Sequence, residues 1–140
     1  MIWGVGYGAI TQLIKETGNL VKNGVPNIDT YGDFLPLAYW RTESGFLIIT
    51  YEVYFDAPIT KGKYTQMVFS DVIIGADAST DIRIGTTQKG YDLYKQVLAT
   101  KTTYKEIKID LSDFPDTFYL TIHHASSNVH YPKIANITLV

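Results

Sequence analysis

Every histidine in this 140-residue chain falls in one stretch, "TIHHASSNVHYP": His123, His124 and His130, beside Ser126, Ser127 and Asn128. Three imidazoles so close together suggest zinc chemistry, and serines next to histidines suggest acyl transfer. Strand geometry argues against both. In "FYLTIHH" a period of two sends Phe118, Leu120 and Ile122 to one side and Tyr119, Thr121 and His123 to the other. His124 continues the inward row, so the two adjacent rings diverge. His130 lies across the "ASSNV" loop and can approach one of them but not both. A closed metal site needs at least three convergent ligands, and no HxH or HExxH spacing supplies them. Catalysis by Ser126 or Ser127 would need a base, an orienting acid and an oxyanion hole, none of which is signalled. What remains is His123 as an exposed, planar, hydrogen-bonding ring next to Tyr119, with no metal expected.

Two further patterns hint at chemistry. Asp110, Asp113 and Asp116 in "IDLSDFPD" could present carboxylates to calcium, or pair with Glu52 as a glycosidase acid and base. The simpler reading is that Asp and Ser side chains satisfy backbone N–H groups in a Pro-containing turn. "GVGYGA", Gly4 to Ala9, formally fits a dinucleotide fingerprint. That motif needs a full strand before it and βαβ units after it, and neither is present. Asn136-Ile-Thr138 is a formal glycosylation acceptor placed inside an expected strand, and it is discounted.

The elements that must position these residues read as short strands. "FLIITYEVYFD" alternates, with Leu47, Ile49, Tyr51, Val53 and Phe55 on one face and Thr50, Glu52, Tyr54 and Asp56 on the other. "YTQMVFSDVII" sets Met67 and Phe69 against Gln66, Val68 and Ser70. "DIRIGT", "YDLYKQVL", "TYKEIKIDL", "TFYLTIHH" and "KIANITLV" follow, separated by turn signals. No convincing long amphipathic helix interrupts them; "AITQLIKET", ended by Gly18, suggests one or two helical turns. The expected fold is all-β, an antiparallel β-sandwich. Its core would hold Leu47, Ile49, Val53, Phe55, Phe69, Ile107, Ile109, Phe118, Leu120, Ile122, Ile137 and Leu139.

Composition bounds the function. Hydrophobic residues make up 46% of the chain and charged residues 19%, which suits one packed domain. The net charge of −2 offers no basic footprint for nucleic acid or for an anionic membrane surface. With no cysteine there can be no disulfide framework and no thiolate metal site. No apolar run reaches the roughly 20 residues that span a bilayer, so no membrane insertion is expected. Eleven tyrosines supply flat apolar faces with polar tips, which suit a binding surface.

"GNLVKNG", residues 18–24, is similar to the opening "NLxxNG" of jelly-roll carbohydrate-binding modules of families four, nine and their relatives. Trp40, the strand "YEVYFDA", then "IKIDLS", "FYLTIHH" and the final "IANITLV" also resemble that family in order and spacing. The likeness covers residues 18–140. It implies a jelly roll that is not an enzyme and that binds glycans on the concave face of one sheet. Matched by position, Trp40, Glu52, Arg83 and His123 stand where such modules carry sugar-contacting residues. Alternation adds Tyr54, Gln66 and Tyr119 to the same expected face. The sequence departs from the family at Asn136, which stands where relatives often place an acidic ligand for structural calcium; that calcium is doubtful, and no other cofactor is expected.

The resulting picture is a jelly-roll domain over residues 19–140, preceded by an attachment or oligomerisation segment, residues 1–18. The apolar "MIWGVGYGAI" is expected either to pack on the sandwich or to mediate a homo-oligomer, a trimer being common in phage adhesion devices. The N-terminus lacks the early Lys or Arg of a signal peptide. The expected setting is therefore a bacteriophage virion, on a tail or baseplate, with a cell-surface glycan and other virion proteins as partners. The alternatives are a purely structural virion protein and a binding domain excised from a secreted glycosidase.

Overall fold

The computed structural model describes residues 18–76, 79–125 and 130–140. Along the chain run β1 (Asn19–Lys22), β2 (Val25–Pro26), a single helical turn α1 (Ile28–Tyr31), β3 (Phe34–Leu35) and a 3₁₀ turn at Leu37–Tyr39. Then come β4 (Trp40–Glu43), β5 (Phe46–Ile49), β6 (Val53–Phe55), β7 (Ile59–Thr60), β8 (Gln66–Ile74) and β9 (Thr80–Gly85). The last four are β10 (Tyr94–Leu98), β11 (Thr102–Asp110), β12 (Thr117–His124) and β13 (Lys133–Leu139).

These strands form an antiparallel β-sandwich. One sheet has seven strands in the order β11-β8-β13-β1-β2, with β5 also on β13 and β4 on β5. The other has six, in the order β10-β9-β12-β6-β3, with β7 added to β12. The chain crosses repeatedly between the sheets, so each inner face is built from segments distant in sequence. All twelve expected core residues are buried, and Leu20, Val21, Phe34, Ile59, Met67, Ile82, Ile84 and Leu111 join them. Alternation recovers the core because an inner-facing side chain on either sheet points into the same apolar layer.

One expectation fails at Tyr51. Residues 46–56 read as a single strand, yet β5 belongs to the seven-stranded sheet and β6 to the six-stranded one. The chain arches from sheet to sheet at Thr50–Glu52, which keeps Leu47, Ile49, Val53 and Phe55 inside while Tyr51 is left 48% exposed. The segments "GVGYGA" and "AITQLIKET", and Ser126, Ser127 and Asn128, lie outside the described residues.

Candidate functional site

The register of β9, β12 and β6 builds the site. His123 stands opposite Asp81, Thr121 opposite both Arg83 and Tyr54, and Tyr119 opposite Gly85. Directly opposed residues of an antiparallel pair share a face. Asp81, Arg83, Tyr54, Tyr119, Thr121 and His123 therefore all point away from the core. Glu52, two residues before Tyr54, reaches the same face.

Arg83 is the hub. Its Nε donates to Asp81 Oδ1 at 2.5 Å and its Nη2 to Asp81 Oδ2 at 3.2 Å, a two-pronged contact that fixes the guanidinium plane. Nη2 also lies 3.4 Å from His123 Nδ1, and Nη1 lies 3.9 Å from Glu52 Oε2. Asp81 and Arg83 are two residues apart on one strand, which is why their side chains rise from the same face. Asp81 is 7% exposed, so its charge depends on this pairing.

A loop covers part of the face. Gly85 and Gly90 approach so closely that a Cβ on Gly85 would fall 2.4 Å from the Gly90 carbonyl carbon. Asp92 holds the loop shut by accepting from Thr86 Oγ1 at 2.6 Å and from Thr86 N at 2.8 Å. These two bonds, the hydroxyl first, hold the Asp92 carboxyl below the usual range. Within the loop Lys89 adopts a left-handed φ of 66°, which costs a side-chain-bearing residue about 1–2 kcal/mol. Its ammonium lies 3.5 Å from Glu52 Oε1 and 4.9 Å from the Tyr54 ring centroid. Tyr91 extends the surface, with the Arg83 guanidinium 5.6 Å and the Lys95 ammonium 5.2 Å from its ring. At the other end Tyr51 stands 5.8 Å from His123 and 5.1 Å from Tyr39.

Five of the seven expected site residues thus share one face: Glu52, Tyr54, Arg83, Tyr119 and His123. Gln66 does not. It begins β8 in the opposite sheet, where its backbone pairs with Val140. Trp40 also stands apart. Its indole N–H donates to the Phe34 carbonyl at 2.7 Å, and its ring packs edge-on to Phe34 against the core. Alternation reports which face a residue takes, but not which sheet its strand joins. Asp81, Lys89 and Tyr91 were not anticipated. The spacing of Asp81 and Arg83 in "TDIRIG" signals the first; the other two arrive by loop folding.

His124 turns inward, as its place in the alternation requires. It is fully buried, with Nδ1 3.3 Å from Thr80 Oγ1, its ring edge-on to Tyr131, and Nε2 without a partner among the described residues. Burial, with the charge of His123 second, holds its imidazole below the usual histidine range. The unfolded chain takes up this proton near the ordinary value of about 6.5, whereas the folded chain takes it up only at lower pH. Stability should therefore fall as pH drops below about 6.5 and level off beneath the folded-state value. Melting curves between pH 7.5 and 5 should show this loss, and His124→Phe should remove most of it.

At the acidic turn, Asp110 Oδ1 accepts from Ser112 N at 2.9 Å and from the Ser112 hydroxyl. The hydroxyl first, and the backbone bond second, lower its carboxyl. That geometry is the backbone-satisfying turn. Asn136 also satisfies a backbone N–H, but one distant in sequence, accepting from Asn23 N at 3.0 Å. Among the described residues no three His, Asp or Glu side chains converge as metal ligands, and no helix is long and apolar enough to cross a membrane. No family model matches the chain, and no curated protein or solved structure matches it.

Proposed function

We propose that this protein is a carbohydrate-binding module that holds a neutral glycan on the outer face of the six-stranded sheet. The observation that carries the reading is Arg83, locked by Asp81 and Glu52 on the same face as Tyr54, Tyr119 and His123. Sugars present C–H faces that pack on aromatic rings and hydroxyls that need directed donors and acceptors. A preorganised guanidinium–carboxylate network flanked by tyrosines offers both without reorganising on binding. The ion-paired groups are two carboxylates, Glu52 and Asp81, and two cations, Arg83 and Lys89. Within this set the charges cancel, so its members are committed to one another, while Lys95, opposite Arg83 on β10, stands on the same face beside Tyr91. Both carboxylates are engaged by Arg83, which supports binding rather than hydrolysis.

A glycan array followed by titration calorimetry tests this. A neutral oligosaccharide should bind, and His123→Ala and Tyr54→Ala should each weaken it by about 1–3 kcal/mol, the usual cost of a lost buried partner or aromatic platform. Affinity unchanged in both variants would sink the assignment of this face.

A further inference from the structure

A separate cavity of about 350 Å³ opens at the opposite end of the six-stranded sheet, lined by Thr30, Tyr31, Pro58, Thr60, Lys63 and Tyr64, with Gly62 at its rim. Thr60 pairs with Thr117, the first residue of β12, whereas His123 lies six residues further on. At the strand rise the two places are about 20 Å apart, so this is not an arm of the Arg83 face.

The lining is largely apolar but carries four hydroxyl-bearing side chains and an ammonium, and among the described residues it holds no carboxylate. Tyr31 is mostly buried against Phe55, with ring centroids 5.6 Å apart, and burial raises its phenol above the usual range, with Tyr64 as the second cause. The Tyr31 hydroxyl therefore stays protonated at neutral pH. Neither phenol hydroxyl makes a hydrogen bond among the described residues. The two lysines of "TKGK" differ instructively. Lys61 donates to the carbonyls of Phe114 at 2.8 Å and Leu111 at 3.4 Å, which ties the loop down. Lys63 has no carboxylate partner among the described residues; its ammonium sits 5.8 Å over the Tyr64 ring. Arg41, Arg83, Lys89, Lys105 and Lys108 each meet a carboxylate, whereas Lys22, Lys95, Lys101 and Lys133, like Lys63, meet none among the described residues.

We propose that this cavity is a second binding site, for a single-ring sugar acid whose carboxylate meets Lys63 and whose ring packs on Tyr64 and Pro58. The volume lies at the small end of ligand pockets, which suits one ring. Four hydroxyls, from Thr30, Thr60, Tyr31 and Tyr64, match a polyhydroxylated ring better than an aromatic acid. An ammonium that meets no carboxylate among the described residues supplies the preference for the acid over the neutral sugar.

Amide NMR titration of the full chain with glucuronate, glucose and benzoate tests the proposal. Glucuronate should shift Tyr31, Thr60, Gly62, Lys63 and Tyr64 saturably, with an affinity about tenfold above glucose and above benzoate. Lys63→Gln, at an exposed position, should erase the preference over glucose, and His123→Ala should leave it intact. The last arm separates this site from the proposed glycan face. No saturable shift at these residues with glucuronate would overturn the proposal. So would equal response to glucose or benzoate, or a preference that survives Lys63→Gln.

Discussion

Replacing Arg83 with Ala should cost about 3–5 kcal/mol of folding stability and abolish the proposed glycan binding together, because it strips the bidentate partner from a nearly buried carboxylate. Asp81 and Arg83 have side chains only 10% and 19% exposed, and both prongs of the guanidinium are committed to Asp81. Glu52 would keep Lys89, which is half-exposed, so the larger part of the loss should trace to Asp81. Urea denaturation measures it. The double variant Asp81→Asn, Arg83→Met should recover much of the stability, since removing both charges removes the desolvation debt. A loss under about 1 kcal/mol for Arg83→Ala would mean that the network behaves as an ordinary surface pair.

Phe55→Ala should be about as damaging, roughly 3–5 kcal/mol, by opening a cavity where three elements meet. Phe55 is 2% exposed, stacks on Phe34 with ring centroids 4.1 Å apart, and meets Tyr31 at 5.6 Å. It sits beside Tyr54 on β6, so its packing fixes the strand that presents Tyr54 outward. Phe55→Leu should cost closer to 1.5 kcal/mol, because most of the volume is kept. A lower denaturation midpoint with an unchanged slope would show that the loss is in the folded state. For a domain stabilised by about 5–15 kcal/mol, the alanine variant should be marginal at 37 °C.

The strands and the core were legible because period-two alternation is set by the pleat, and the pleat is local. "TFYLTIHH" reads as β12 and folds as β12, residue for residue. The pairing of strands is not local. Residues 46–56 keep their alternation through an arch that changes sheets, so one apparent strand is two and Tyr51 escapes the core. The same limit separated Gln66 from the other expected residues, since β8 joins the opposite sheet, while Trp40, placed by the family resemblance alone, turns to cap Phe34. Lys89 and Tyr91 reach the site because a loop lies down on β9, a contact that requires Gly85 and Gly90 to meet and that no alternation encodes.

The cancelled charges of the ion-paired set around Arg83 also bear on how fast the proposed glycan would be captured. An ion-paired set whose two carboxylates and two cations neutralise one another within a few ångströms projects little field of its own beyond the Debye length, about 8 Å in physiological salt. Encounter with a neutral glycan is then unsteered, with association rates in the ordinary diffusional range and insensitive to ionic strength. Variation among glycans should accordingly appear in residence time, set by how well each sugar ring seats between the tyrosines and the immobilised guanidinium.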